Sequence, residues 1–474
     1  MTRSMHRLGY SIAGAIAVAV GGSLFANAFD EPLSADAKLL AADSRQATPE
    51  PRNAYVWMLG LDAPPGEDAY ASGARVVARL RQVEARGEDL ARDDPLFADR
   101  LAVNGEQPMP CRPERVSCLD TVMVDTDAAR RNLSAAGIFF ERVSAMRAQP
   151  DFTDVYTPKS LFSPLPQYQN AARAQSATFL KAAIAVVDGR IEQAVLLAEE
   201  DMRFSRRMLS GSTTLIGKLI ANVCVARNAL FLSDLLSRRP EQMAPYRRRI
   251  ASALRPLSQQ EVSLEPALQN EAAMRLRTIL GEGPPRGLIW ADRDPEAPVP
   301  PAIANRMAAL FYRPNATANE ATRRFHEDLA LAQVHTLDFD KARRASRASI
   351  EDYQDLQIRE YFVNPTGNML VRAARNDHAN YIARMHDLEG LIALVRAQTA
   401  MPSWISPADR VAFLRSKEGE SFADPYTGLP VSVDQATGDL FFVPRSDGSW
   451  VGEVVNRWAG TIRVGTGLAT PNKP

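Results

Sequence analysis

The strongest constraint on the fold is a stretch of 22 uncharged residues near the N-terminus, from Leu8 to Phe29. As a helix this stretch is about 33 Å long, close to the hydrocarbon thickness of a bilayer. Basic residues precede it and acidic residues follow it, so the positive-inside rule places the rest of the chain outside the cytoplasm. The sequence therefore predicts a single-pass inner-membrane anchor with a periplasmic body. A small-residue pattern ending at Ala28 leaves open a signal peptide that is cleaved there, giving a periplasmic protein.

The composition beyond this segment is that of a folded protein without a preference for polyanions. Hydrophobic residues make up 46% and charged residues 24% of the chain, near the average for globular domains. The 56 basic residues equal the 56 acidic residues in number. Because nucleic-acid binding depends on an excess of positive charge, the sequence predicts no nucleic-acid partner.

The body is predicted to be mainly α, a multi-helix body with a small C-terminal β-hairpin module. Apolar residues recur at three-four spacing over most of its length, and a helical hairpin is expected around Asp188-Gly189. Alternation around Leu429–Val433 and Leu440–Val443 predicts the β-hairpin, and 450–455 could add a strand. The expected organisation is an anchor or signal (1–29), a tether (30–52), a helical domain (53–280), a proline-rich linker or loop (281–301), a second helical part packed on the first (302–415) and the hairpin tail (416–474).

Cysteines suggest one local crosslink. Cys111 and Cys118 flank a polar stretch that predicts a surface loop, and in an oxidising periplasm they could form a disulfide or remain two free thiols. Cys224 lies in an apolar helical pattern and is expected to be a buried small hydrophobe.

Motifs for metals, cofactors and nucleotides are incomplete. His326-Glu327 begins like a zinc-protease helix, but Ala330 stands where the second ligand must be. The glycines before Lys218 have the wrong spacing for a phosphate-binding loop, and Gly465-Thr466-Gly467 lacks the strand and helix of a dinucleotide site. The sequence predicts no metal, cofactor or nucleotide and identifies no catalytic residue.

Three charged runs on predicted helices are expected to be solvated, as short charge runs usually are, with at least two of the three acidic residues pointing to water. They are Glu199-Glu200-Asp201, Arg206-Arg207 and Arg247-Arg248-Arg249.

Four short motifs carry a resemblance. They are Asn53–Asp68 with its Leu-Gly-Leu-Asp-Ala-Pro core, Asn364-Pro365-Thr366-Gly367, a helix with Asp387-Leu388-Glu389, and Asp424–Pro430. Together, as NAYxxxLGLDAP-like, NPxG and DPYTGxP patterns, they resemble a group of Gram-negative envelope proteins with no assigned activity. The resemblance implies an envelope location and a helical architecture, and it transfers no catalytic residue.

Two functional hypotheses remain open. The first is a non-catalytic envelope protein that binds another envelope protein or has a structural role. Aromatic residues at the boundaries of predicted elements are its candidate interface anchors, although such residues more often fill the core between helices. They are Tyr55, Trp57, Trp290, Trp404 and Trp450. The alternative is a periplasmic hydrolase with a site under the 281–301 loop. Its candidate general bases are His326, His378 and His386.

Overall fold

The computed structural model describes residues 18–42, 47–87, 94, 111–113, 116–281, 301–354, 358–373, 378–401, 405–446 and 462–465. The chain is mainly helical, with 69% helix and 3% strand, which confirms the predicted class. The proline-rich segment expected at 281–301 and the strand suggested at 450–455 lie almost wholly outside the described residues.

The helices follow one another through short connections. Those of the N-terminal half are α1 (Val18–Asn27), α2 (Ala35–Ala42), α3 (Ala54–Leu59), α4 (Ala69–Arg86), α5 (Cys118–Val124), α6 (Thr126–Ala135), α7 (Gly137–Ala148), α8 (Gln169–Val187), α9 (Ile191–Gly211) and α10 (Leu215–Arg238). Those of the C-terminal half are α11 (Pro240–Met243), α12 (Arg247–Ala253), α13 (Gln259–Val262), α14 (Glu265–Ile279), α15 (Pro301–Leu310), α16 (Pro314–Ala332), α17 (Phe339–Gln354), α18 (Ile358–Phe362), α19 (Pro365–Ala373), α20 (His378–Ala400) and α21 (Pro407–Leu414).

The predicted helical hairpin is confirmed as α8 and α9. Gly189 takes φ +77 between the two helices, and the N–H groups of Gly189 and Arg190 donate to the last carbonyls of α8. This is the glycine-terminated helix end that lets the chain reverse within three residues. Helices α9, α10 and α20 then pack side by side to form the centre of the body.

Helix α10 is the only described helix that is long and apolar enough to cross a membrane by length and composition. Of its apolar window 72% is buried inside the body, as in the core helix of a globular protein. Cys224 is buried on this helix, as expected.

One hydrophobic core runs through both predicted helical parts and the tail, from Tyr55 on α3 to Val464 in the last strand. A smaller apolar cluster joins α14, α16 and α19 to α2. The two helical parts are therefore packed on each other through shared cores.

The tail forms a three-stranded antiparallel sheet in the order β1 (Ser432–Val433), β2 (Leu440–Phe442) and β3 (Ile462–Val464). The predicted hairpin is β1 and β2, with Gly438 at φ +73 in its turn. The sheet docks on α20, where a Cβ at Gly390 would lie 2.4 Å from the ring of Phe442. Only glycine lets the ring approach the helix this closely.

The segment expected to be a tether, 30–52, contains helix α2, which packs on α14 and α16. Leu33 and Leu40 contact the smaller apolar cluster, and the N–H of Ser34 donates to Asn319 at 2.8 Å. A flexible tether was expected because small polar residues dominate this stretch. Its few apolar side chains are enough to bind it to the body.

Candidate functional site

Helix α1 is joined to the body through polar side chains on one face. Ser23 Oγ and Asn27 Nδ2 both donate to the carbonyl of Phe362, at 2.8 and 2.7 Å. The Asn27 side chain also accepts from the N–H of Asn364 at 2.7 Å. Ser23 and Asn27 are both buried, so these bonds replace contacts with water.

The opposite side of α1 is apolar and exposed. Val18 and Phe25 are 76% and 72% exposed and Leu24 is also open, and Phe29, just beyond the end of α1, is 67% exposed. A helix of a protein surrounded by water shows the reverse arrangement, with apolar residues inward and polar residues outward. The outward face of α1 is therefore suited to an apolar environment.

Asn364 is the first residue of the Asn364-Pro365-Thr366-Gly367 motif, and its backbone lies in the left-handed region, at φ +53. Its side chain accepts from the N–H of Arg313 at 2.8 Å and donates to Thr317 at 3.0 Å. Asparagine tolerates this conformation better than most residues. A Cβ at Gly367 would lie 2.0 Å from Thr317 Oγ1. The motif thus serves close packing between α16 and α19.

Asp30 continues this junction from the N-terminal side. Its carboxylate accepts from the N–H groups of Asn315 and Ala316, at 2.7 and 3.1 Å, in the first turn of α16. Arg313 lies 3.6 Å from the same carboxylate. A negative charge at a helix N-terminus is stabilised by unpaired N–H groups and the helix dipole.

A polar cleft of about 500 Å³ opens beside this junction and is a candidate binding site. Its charged lining is balanced between three arginines and three glutamates: Arg313, Arg323, Arg359, Glu31, Glu320 and Glu360. Burial opposes ionisation of Glu320, but hydrogen bonds from Arg323 and Arg324 outweigh it and its pKa is lowered. Together with asparagine amides, these charges make the cleft suited to binding a polar group.

The Asp424–Pro430 motif is bound to α20 through Tyr426. Its hydroxyl donates to Asp387 at 2.6 Å, and the same carboxylate accepts from the N–H groups of Arg445 and Ser446 at 3.0 Å. Burial raises the pKa of Asp387 despite these donors. The Asp387-Leu388-Glu389 and Asp424–Pro430 motifs therefore contact each other through Tyr426 and Asp387, and this contact holds the tail on the body.

The first motif supports helix packing. Asn53 caps α3 by accepting from the N–H of Tyr55 at 3.1 Å. Arg142 on α7 donates to carbonyls of the following loop, including Ala63 at 2.5 Å and Glu67 at 2.8 Å. These contacts assign the motif an architectural role.

The three candidate histidines each have a different carboxylate partner. His378 Nδ1 lies 2.6 Å from Asp328, in a pair that joins α20 to α16. A cavity of about 10 Å³ beside it has room for about one water molecule. His386 Nδ1 lies 3.3 Å from Glu389, and the exposed His326 lies 3.5 Å from an aspartate on α2. Among the described residues no group of three or more His, Cys, Asp or Glu could hold a metal.

Cys111 and Cys118 are free thiols in the structure, and both are buried. Burial raises the pKa of Cys118, and a hydrogen bond with the Cys111 side chain adds to the shift. The cysteines themselves pack in the core, whereas Arg112 and Val116 of the polar stretch between them are exposed. The two side chains are neighbours, and the disulfide remains a prediction.

The charged runs include buried members, contrary to expectation. In the acidic run Asp201 is buried, and only Glu200 is exposed. Arg206 is buried and pairs with Glu261 at 2.8 Å. Arg247 donates to carbonyls at the end of α20, including that of Thr399 at 3.2 Å. Each of these residues binds a partner on another element of the fold, which the pattern of its own helix does not reveal.

The aromatic candidates divide similarly. Tyr55 is fully buried, and Trp57 is half-buried with its Nε1 donating to the carbonyl of Pro51 at 2.7 Å. Trp290, Trp404 and Trp450 lie outside the described residues.

Asp154 predicts a measurable pH dependence. It is fully buried, which raises its pKa to about 6 although the N–H groups of Thr213 and Thr214 donate to it. The unfolded chain releases this proton near pH 4, so the folded state holds more protons between about pH 4 and 6. This contribution to stability is fully present below about pH 4 and is lost as pH rises through about 6.

We expect Asp154→Asn to remove this fall, measured by urea unfolding at about pH 4, 5 and 7. Asp434→Asn is the control, because a hydrogen bond from Arg463 lowers the pKa of this half-buried carboxyl. The stability that Asp434 contributes is lost as pH falls, so its variant has the opposite sign. A parent and an Asp154→Asn protein that lose stability equally with rising pH would refute the assignment.

Comparison with known proteins adds no family: no family model, no curated protein and no solved structure matches this chain. The functional conclusion therefore rests on the geometry described above.

Proposed function

We propose that the protein is a helical, extracytoplasmic component of the bacterial cell envelope, anchored in the inner membrane by its N-terminal segment. It acts by binding another envelope protein or as a structural component, not by catalysis. The observation that carries this proposal is the orientation of α1. Ser23 and Asn27 face the body while Val18 and Phe25 face outward.

The proposal favours an uncleaved anchor over a signal peptide. Cleavage after Ala28 would remove Ser23 and Asn27, leaving the carbonyl of Phe362 and the N–H of Asn364 without these partners. Each hydrogen bond lost in this way contributes about 0.5 to 1.5 kcal/mol to stability. A segment that is cleaved off could not contribute these hydrogen bonds to the mature protein.

The binding role is supported by what the motifs and the cleft do. The motif residues are used in packing and capping, and the cleft offers arginines, glutamates and amides at its surface. Such a lining can recognise a polar segment of a partner. Arg359 is exposed and lines this cleft. Arg248 is also exposed, but it lies on α12 and does not line the cleft, which makes it a matched control.

Two experiments test the proposal. A reporter that is active only outside the cytosol, fused to the C-terminus, should be active, and N-terminal sequencing should find the anchor intact. Chemical crosslinking in membranes should then recover a stoichiometric partner, weakened by Arg359→Glu and unaffected by Arg248→Glu. Reporter activity confined to the cytosol would overturn the location, and a monomer under varied crosslinkers would overturn the binding role.

A hydrolase remains the second candidate because His378 and Asp328 form a hydrogen-bonded pair beside a cavity. The cavity holds about one water molecule and no substrate, so the pair is explained more simply as a tie between α16 and α20. Activity of the parent protein on a hydrolase panel, lost in folded His378→Ala protein, would establish this alternative. Inactivity of the parent removes it.

An oxidising location also predicts the state of Cys111 and Cys118. Protein isolated from the periplasmic side and unfolded without reductant should show a single reactive thiol, Cys224, because the neighbouring pair is oxidised. Reduction should raise the number to three. Cys111→Ser protein, the control, should show two thiols with or without reductant, and three thiols in unreduced parent protein would contradict the prediction.

A further inference from the structure

A second group of exposed apolar side chains lies on the helices next to the end of α1. Tyr361 and Phe362 on α18 are 58% and 42% exposed, and Met307 and Leu310 on α15 are 55% and 59% exposed. We call these four residues, with Phe25 of α1, the juxtamembrane surface. Single exposed apolar residues are common, but a group on neighbouring elements indicates an interaction surface.

Hydrogen bonds place these elements together. The carbonyl of Phe362 accepts from Asn27, so α18 touches the last turn of α1. Thr366, at the start of α19, donates from Oγ1 to the carbonyl of Ala308 at 2.9 Å, which brings α15 to the same junction. The apolar side chains on α15 and α18 therefore flank the point where α1 meets the body.

We propose that the juxtamembrane surface lies in the headgroup region of the phospholipid bilayer. The inference rests on the proposed anchor. If Leu8–Phe29 spans the membrane, Asn27 lies within one helical turn, about 5 Å, of the outer end of the span. The backbone of Phe362 then lies at the same depth as Asn27, because the two are joined by a direct hydrogen bond of 2.7 Å.

The chemistry of the surface fits this depth. A tyrosine such as Tyr361 is favoured at membrane interfaces, where its apolar ring and polar hydroxyl meet the headgroups. Arg306 is exposed on α15 and can reach lipid phosphates while its stem remains apolar. The docked segment from Asp30 to α2 also holds the body close to α1 rather than at the end of a flexible tether.

Photocrosslinking of the full chain in its native membrane tests this inference. A benzophenone side chain is placed at Phe25, Tyr361 or Met307, and adducts are identified by mass. Leu429 and Val124 are matched controls, because they are 65% and 88% exposed and lie on other elements. Cell fractionation and circular dichroism confirm that each labelled chain is folded and membrane-bound.

We expect phospholipid adducts at positions 25, 361 and 307 and none at 429 or 124. Lipid adducts at 25 without lipid adducts at 361 or 307 would overturn the inference and leave the proposed anchor intact. Protein adducts of twice the chain mass at 361 or 307 in place of lipid would overturn it in favour of a second copy. An absence of lipid adducts at 25 would overturn the proposed anchor itself.

Discussion

Replacing Gly73 by alanine should destabilise the protein by about 3 kcal/mol or more, because the added methyl group has no space and the obstructing atoms are backbone. A Cβ at Gly73 would lie 1.8 Å from the carbonyl oxygen of Val56, and one at Gly60 would lie 1.9 Å from that of Ala69. Helices α3 and α4 thus touch along their backbones. The substitution must separate them and disrupt the buried face that includes Val76 and Val77.

Gly137→Ala is the matched control for this substitution. It also lies in a helix, at the start of α7, but no atom lies within 4 Å of the new Cβ. Alanine is the better helix former, so this variant should be unchanged or more stable by up to about 1 kcal/mol. Thermal and urea unfolding measure both variants. Equal stability of Gly73→Ala and Gly137→Ala would show that the contact between α3 and α4 is not this close.

Asp201→Ala should cost about 3 to 5 kcal/mol of stability, the range for removing one partner of a buried ion pair. The carboxylate accepts from Arg147, from Gln175 at 2.7 Å and from Asn228 at 2.8 Å. These partners lie on α7, α8 and α10, so one side chain on α9 joins four helices. Truncation leaves the buried guanidinium of Arg147 without its counter-charge, and Gln175 and Asn228 keep only their carbonyl acceptors.

Asp120→Ala provides the comparison, since Asp120 pairs with Arg238 at 2.6 Å but both side chains are half exposed. Exposed ion pairs contribute about 0 to 1 kcal/mol, so this variant should behave almost as the parent. Urea unfolding at neutral pH gives both values. Similar small losses for Asp201→Ala and Asp120→Ala would mean that the buried network is not a structural centre.

The helices and the hairpin tail could be predicted because their signals are local. Gly189 ends α8 in a left-handed conformation that glycine favours. In the hairpin, apolar residues alternate with others because one face of the strands is buried. The third strand, Ile462–Val464, was not predicted because three residues carry too little pattern. It is defined by pairing with Leu440–Phe442 rather than by its own composition.

The burial of Asp201 and Arg206 could not be predicted from a charge run, because burial of a charge depends on its partner. Arg206 is paired by Glu261, 55 residues later, and Asp201 by residues on three other helices. One signal was present: Asp201 lies three residues after the buried Ala198 and next to Met202, on the same helical face. A charge within an apolar face indicates a buried network.

The candidate site could be predicted only in part. The motif at Asn364 was recognisable as a sharp interruption of the helices, but its partners Asn27 and Arg313 lie in remote parts of the sequence. The polar cleft follows from that junction and has no sequence pattern of its own. The exposed apolar face of α1 was present in the sequence, whereas its polar contact face emerged only from the structure.

The bond between Asn27 and Asn364 spans 337 residues of sequence. An encounter between segments so far apart must follow synthesis of nearly the whole chain, and the entropy of closing so large a loop makes it slow. The α9–α10 centre can assemble while the chain is still emerging, but the junction at the N-terminal helix cannot. Chains that end prematurely, before residue 364, would therefore keep the packing of α9 on α10 but lack α20, and their first helix would stay unattached.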